Sequence, residues 1–264
     1  MNQPIRTILA IESSCDETAC SIVRDGHEVL ANVIASQADL HAQFGGVVPE
    51  VAARSHIEVV IPVIDEALET AQLTWDDIDA IAVTRGPGLI GSLLIGTLTA
   101  QVLATEKNKP LIGVNHILAH AFASFLDTGE ERRQPEFPML AMVVSGGDSR
   151  LMLFQEDLSF ELLGQTRDDA AGEAFDKVAK LLGLPYPGGP NVSKRGAEGN
   201  DEAYSFPIAK LGDSLDYSFS GVKTAVLRQV QEIIGDKPGL ANLKKTYKLP
   251  AETVNDIAAS FDRI

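Results

Sequence analysis

The order of its apolar segments constrains this chain more than any single motif. Residues 7–12 (TILAIE), 19–24 (ACSIVR) and 28–34 (EVLANVI) predict three short strands, separated by turn-prone Asp16 and the pair Asp25-Gly26. A helical pattern follows from about Val51 to Ala71, then a strand at Ile78 to Val83. Gly86-Pro87-Gly88 opens an apolar helix. A strand at Leu111 to Val114 then leads into a helix from about Asn115 to Phe125. The order βββαβαβα predicts a mixed sheet with helices packed on it.

Residues 127–136 (DTGEERRQPE) are polar and hold Gly and Pro, which predicts a boundary. After it the theme restarts, with strands near 138–144, 150–155 and 160–164 and a helix from about Ala170 to Leu182. Two βββα units in tandem are the organisation of a two-lobed, actin-like (ribonuclease H-like) α/β fold, with lobes at 1–128 and 137–264. Residues 251–264 (AETVNDIAASFDRI) carry helical spacing without a Gly or Pro terminator. The expectation is therefore a second lobe without its closing strands, truncated at its C-terminal side.

Composition narrows the setting. Cys15 and Cys20 make no disulfide framework, which fits a reducing, cytoplasmic protein. The most apolar stretch, Leu89 to Ala104, is under about 18 residues and is broken by Gly91 and Gly96, so no membrane span is expected. The net charge of −15 argues against a chain that grips nucleic acid unaided.

Several motifs carry chemistry. Glu12-Ser13-Ser14-Cys15-Asp16-Glu17-Thr18 follows a strand and is rich in small hydroxyl and acidic residues. Such a turn can offer N–H groups to a phosphate or carboxylates to a metal, although a plain polar hairpin has the same composition. Val144-Ser145-Gly146-Gly147-Asp148-Ser149 offers paired glycines, where backbone can approach a ligand, and a serine able to donate to phosphate. A simple Gly-Gly hairpin is the bland alternative.

In His116-Ile117-Leu118-Ala119-His120 the histidines are spaced i, i+4, so one helix face can present both imidazoles to one metal, or bury both by chance. Ile117 stands where a metallopeptidase needs its glutamate base. In Asp168-Asp169-Ala170-Ala171-Gly172-Glu173-Ala174-Phe175-Asp176-Lys177, Asp169 is a candidate helix cap, and Glu173 and Asp176 share a face. Tyr186-Pro187-Gly188-Gly189-Pro190 reads as a rigid bend. Gly45 to Glu50 and Phe219 to Thr224 read as turns leading into helices.

Taken together, IESSCDET, HAQFGGVVPEVAAR, TRGPGLIGSL, NHILAH, VSGG, DDAAGEAFDK, YPGGP and the run ending FSGVKT resemble the tRNA N6-adenosine threonylcarbamoyltransferase family over nearly the whole chain. The resemblance implies transfer of a threonylcarbamoyl group from threonylcarbamoyl-AMP to N6 of the adenosine beside the anticodon, with release of AMP. It implies one divalent metal, iron or zinc, on His116, His120 and a C-terminal aspartate. It also implies substrate contacts at Val143, Val144, Ser145, Gly146, Gly147, Asp176, Gly189 and Ser193, an asparagine in a C-terminal glycine-rich motif, and Glu17 in support of catalysis.

Implied partners are tRNA, an actin-like partner subunit and a P-loop ATPase subunit. The chain departs from the pattern at Asp148 and Ser149, where relatives usually have histidine and threonine. A carboxylate beside a phosphate is expected to weaken nucleotide binding. Ser193 stands where many relatives have aspartate. Two other readings share the fold: a non-catalytic scaffolding subunit and a small-molecule kinase. Neither needs paired histidines.

Overall fold

The computed structural model describes residues 6–127, 135–209, 211–236 and 245–264. The chain divides into two compact units, Met1–Pro135 and Glu136–Ile264. The expected boundary at 127–136 falls mostly on residues 128–134, which lie outside the described residues.

In the first unit β1 (Thr7–Glu12), β2 (Glu17–Arg24) and β3 (Glu28–Ser36) form an antiparallel meander. A short helix α1 (Ala38–Ala42) precedes α2 (Pro49–Ala71), which opens on a proline whose missing N–H costs a helix nothing at that position. Then come β4 (Ala80–Gly86), α3 (Ile90–Glu106), β5 (Leu111–Asn115) and α4 (His116–Phe122). The strand order is β3-β2-β1-β4-β5, with β1–β4 and β4–β5 parallel. That mixed order is the one expected of an actin-like, ribonuclease H-like lobe.

Alternation decides the two faces of this sheet. Leu9, Ile11, Cys20, Ile22, Ile81 and Val83 are buried with Val60, Ile64 and Ala67 of α2 and Ala100 of α3. The opposite face carries Ala10, Ala19, Ser21, Ala82 and Thr84, whose small side chains leave room above them, together with Glu12.

Two helices grip the β1–β2 turn. Ser14 accepts a hydrogen bond at its carbonyl from Leu89 N (2.7 Å), and Cys15 O accepts from Ser92 Oγ (3.1 Å) and His56 Nε2 (3.0 Å). His56 is fully buried, and its Nδ1 accepts a hydrogen bond from the Thr18 hydroxyl at 2.7 Å. Contact is close enough to require glycine. A Cβ at Gly88 would lie 2.5 Å from Ser14 O, and one at Gly96 would overlap Ser13 Oγ.

The second unit begins with β6 (Met139–Val144), β7 (Ser149–Phe154) and β8 (Phe160–Gln165), antiparallel in the order β6-β7-β8. Tyr217 extends the sheet past β8 through a bridge to Thr166. Helices α5 (Ala171–Leu181), α6 (Gly188–Gly196), α7 (Ser220–Ile234) and α8 (Ala251–Asp262) enclose a core of Val178, Leu181, Val192, Val226, Leu227, Ile257 and Phe261.

Two local features differ from what the sequence predicts. The Pro-Gly-Gly-Pro run is the start of α6, with Pro187 in the N-cap position. Asp169 does not cap α5. Ala170 holds the cap position, and the Asp169 carboxylate instead bridges Lys177 Nζ (2.9 Å) and Lys223 Nζ.

Candidate functional site

The histidine face of the first unit is built by α4. Asn115 ends β5 and caps the helix, its Oδ1 accepting from Ile117 N (2.9 Å) and Leu118 N (3.2 Å). This cap sets the first turn, and the i, i+4 spacing brings the Nε2 atoms of His116 and His120 to 3.1 Å. The rings meet edge to face. They stand over the small-residue face of the sheet at a cleft of about 280 Å³ lined by Ala10, Glu12, Thr84, His116 and His120 among others.

Glu12, the last residue of β1, reaches this cleft. Its Oε2 lies 3.3 Å from His116 Nδ1 and accepts the Thr84 hydroxyl, and its Oε1 accepts the backbone N–H of Ser14. Burial pushes the Glu12 carboxyl up, but hydrogen bonds from His116, Ser14 and Thr84 outweigh it and hold the pKa at about 2. An ionised carboxylate can only accept, so His116 Nδ1 is the donor in this contact, and its Nε2 is the nitrogen that faces His120.

Glu17, which the resemblance implies in support of catalysis, starts β2 with its pKa raised by burial and by Asp16 and Glu12. The carboxylate that contacts His116 is that of Glu12, which the motifs alone do not single out for this. The available signal was parity: Glu12 alternates with buried Ile11 and so lies on the face that α4 covers. Among the described residues no group of three or more His, Cys, Asp or Glu is placed to hold an ion. Two imidazoles are the donors present.

In the second unit, the residues implied for substrate converge along α5. The β6–β7 turn is closed by Ser145 N donating to Asp148 O (2.8 Å). Gly172 packs against this turn so closely that a Cβ would lie 2.8 Å from Gly146 Cα. One helical turn on, Asp176 Oδ1 accepts the N–H of Gly188 (2.6 Å), and a Cβ at Gly188 would lie 2.5 Å from Asp176 Cα. At Gly189 a Cβ would meet nothing within 4 Å. Ser145–Gly147, Asp176 and Gly189 thus share one side of the unit. Ser193 lies further along α6, exposed, its hydroxyl 3.2 Å from Asp262 Oδ1. Val143 is buried and Val144 exposed on β6.

The Ser145 hydroxyl donates to Asp148 O (3.2 Å), while its oxygen accepts Asp148 N (3.0 Å) and, more weakly, Gly147 N (3.4 Å). Asp148 is not an uncompensated carboxylate, because Arg150 Nε donates to its Oδ1 at 2.8 Å. Ser149 preserves the hydroxyl of the usual threonine, and its Oγ accepts Ala171 N (3.0 Å) at the start of α5.

These features define an actin-like α/β chain with paired imidazoles in its first unit and a glycine hairpin in its second. Its sequence gives the family. The profile of tRNA N6-adenosine threonylcarbamoyltransferases matches residues 28–264. The protein of that name from Protochlamydia amoebophila (strain UWE25) is 51% identical over 255 residues, 96% of this chain and 71% of the relative. That of Clostridium perfringens (strain SM101) is 56% identical over 234 residues, 88% of this chain and 67% of the relative. That of Clostridium botulinum (strain Hall) is 52% identical over 259 residues, 97% and 71% respectively. The chain belongs to the tRNA N6-adenosine threonylcarbamoyltransferase family, a family of acyltransferases.

Proposed function

We propose that this chain is the catalytic subunit that moves threonylcarbamoyl from threonylcarbamoyl-AMP to N6 of the adenosine beside the anticodon of tRNA, releasing AMP. The observation that carries this reading, beside family membership, is the pair of Nε2 atoms 3.1 Å apart in the first-unit cleft. A non-catalytic scaffold has no need of that arrangement, nor has a small-molecule kinase.

The pair fits one divalent ion, zinc or iron. His116 and His120 would hold it through their Nε2 atoms, which lie 3.1 Å apart and are donors of the kind that zinc and iron take. Glu12 on His116 Nδ1 is the outer carboxylate that such a ligand usually carries, fixing its tautomer and aim. When bound, an ion here supplies Lewis acidity toward the carbamoyl carbonyl.

The chain's own residues do the remainder. His116 is kept with its Nε2 facing His120, because Glu12 accepts from Nδ1. The open space at Gly189 admits a sugar or base against the first turn of α6, and Asp176 fixes that turn by accepting the Gly188 N–H. The donor is a mixed anhydride that is already activated, so holding its parts in line is the main task left to the protein.

Partners follow from charge and surface. A chain of net charge −15 binds tRNA weakly unless other subunits add basic surface. Along α3, Ile90, Leu94, Leu98 and Val102 recur at i, i+4 spacing and are exposed, Ile90 by 86%, beside exposed Ile57 and Ile61 of α2. A stripe of this kind suits the helices of an actin-like partner subunit. Among the described residues no helix is long and apolar enough to cross a membrane.

The test is threonylcarbamoyl transfer to tRNA by this chain together with its partner subunits, with metal content measured in parallel. Activity lost in His116→Ala along with the bound ion supports the assignment. Full activity in that variant would remove it.

A further inference from the structure

The β6–β7 turn has fewer free donors than a phosphate needs. Asp148 N and Gly147 N are directed to Ser145 Oγ, and the Ser145 proton goes to Asp148 O, so Gly146 is the one turn residue whose N–H takes no acceptor among the described residues. One amide does not satisfy an anion of two charges.

Arg150 stands beside this turn. It is the second residue of β7, paired with Val143 across to β6 and with Gln165 across to β8. Its Nε is committed to Asp148 Oδ1 at 2.8 Å, whereas its two terminal amino groups have no acceptor among the described residues. The side chain is 36% exposed and that of Asp148 only 15%, so the carboxylate is the more enclosed member and anchors the guanidinium.

A guanidinium held by one edge keeps a second planar edge, and that edge matches two phosphate oxygens. A separate mark of unmet polarity lies nearby. Tyr217, bridged to Thr166 next to the Gln165 that pairs with Arg150, has a buried hydroxyl without a partner among the described residues. Burial raises the pKa of that hydroxyl, and Asp148 and Asp216 raise it further.

We propose that Arg150, oriented by Asp148, is a phosphate-contacting residue of the β6–β7 turn and binds the phosphate of the adenylate. This rests on the reading of that turn as the nucleotide-binding element. Asp148 then acts as a positioning residue: it replaces the usual histidine not by adding a bare negative charge but by holding a guanidinium at the turn. The pair Asp148 and Arg150 acts as one unit, and neither substitution is interpretable without the other.

The experiment titrates AMP, and separately adenosine, into the 264-residue chain and into its Arg150→Gln, Arg150→Lys, Asp148→Asn and double Asp148→Asn/Arg150→Gln variants. Amide NMR shifts of Gly146 and Gly147 report occupancy at the turn. In the wild type AMP binds more tightly than adenosine. Arg150→Gln weakens AMP about tenfold, the loss expected for a charged hydrogen-bonding partner, and leaves adenosine unchanged. Arg150→Lys retains part of the AMP preference, and the double variant binds AMP better than Arg150→Gln, since no bare carboxylate remains.

Equal AMP affinity in wild type and Arg150→Gln overturns the role of Arg150 alone, with the turn still shifting on titration. An equal loss for AMP and adenosine in that variant also overturns it, because the effect is then not on the phosphate. If neither ligand shifts Gly146 and Gly147 in the wild type, the turn is not the nucleotide site, and the broader reading falls with the proposal.

Discussion

Glu12 Oε2 lies 3.3 Å from Nδ1 of His116, and this contact decides which nitrogen of the ring can face a ligand. The neighbouring Ser14 hydroxyl sits at the same distance from that nitrogen. A glutamine in place of Glu12 can present an amide nitrogen there and favour the wrong tautomer.

Glu12→Gln is therefore expected to fold normally and to weaken divalent-metal affinity by about 10- to 100-fold, the usual loss when an outer partner of a ligating histidine is removed. Competition against a chelating dye measures it. Unchanged affinity would mean that Glu12 only packs the turn.

Gly188 and Gly189 are neighbours with opposite demands. A Cβ at Gly188 would meet backbone of Asp176 at 2.5 Å, while one at Gly189 meets nothing. Gly188→Ala should lower the urea midpoint of the chain by detaching the start of α6 from α5. Gly189→Ala should leave that midpoint in place and weaken AMP binding, because the methyl group occupies space open to a ligand. Both variants are to be compared by denaturation and by titration.

The Asp169–Lys223 contact is the most enclosed ion pair among the described residues, with side chains 15% and 10% exposed. Removing one partner leaves a poorly solvated charge, at a cost of about 3 kcal/mol. Asp169→Ala, which strands Lys223, should show a loss near that size by urea unfolding, and Lys223→Met a smaller one, because Asp169 keeps its contact with Lys177. The double variant should lose less than the sum of the two. Strict additivity would show that the contact contributes no coupling.

Acid should loosen the second unit through Asp168. Its carboxylate accepts Phe219 N (2.9 Å) and Ser220 N (3.2 Å) at the start of α7, together with the Ser218 hydroxyl. Burial raises its pKa, but these bonds prevail and bring it from 3.8 to about 2. A folded-state pKa below the unfolded one gives stability that is fully present above 3.8 and is lost as pH falls toward about 2. Asp168→Asn should flatten the acid side of the stability curve across that window. An unchanged curve would place the acid sensitivity elsewhere.

Much of this was legible in residue order, and the failures have a common cause. The β1–β3 meander and α4 were readable because alternation, the turn pair Asp25-Gly26 and the i, i+4 histidines are local signals. The helix at Gly188 was not, since Pro-Gly-Gly-Pro has the lowest helix propensity available and is held by Asp176 from twelve residues away. Asp169 looked like a cap by position, but Lys223, 54 residues on, outcompeted the local helix end for its carboxylate. The role proposed for Arg150 is not legible in residue order, because nothing in its sequence neighbourhood shows that the Ser145 hydroxyl is already spent within the turn.

The fit of Gly96 against Ser13 has a consequence for genetics. Gly96 lies inside α3, away from both histidines in sequence, and would be scored as a neutral helix position by anyone mapping alleles along the chain. A side chain there displaces Ser13, next to the Glu12 that orients His116. Alleles at residue 96 should thus disturb the histidine cleft as well as the packing of α3, and suppressors should arise at Ser13, where a smaller residue restores the space.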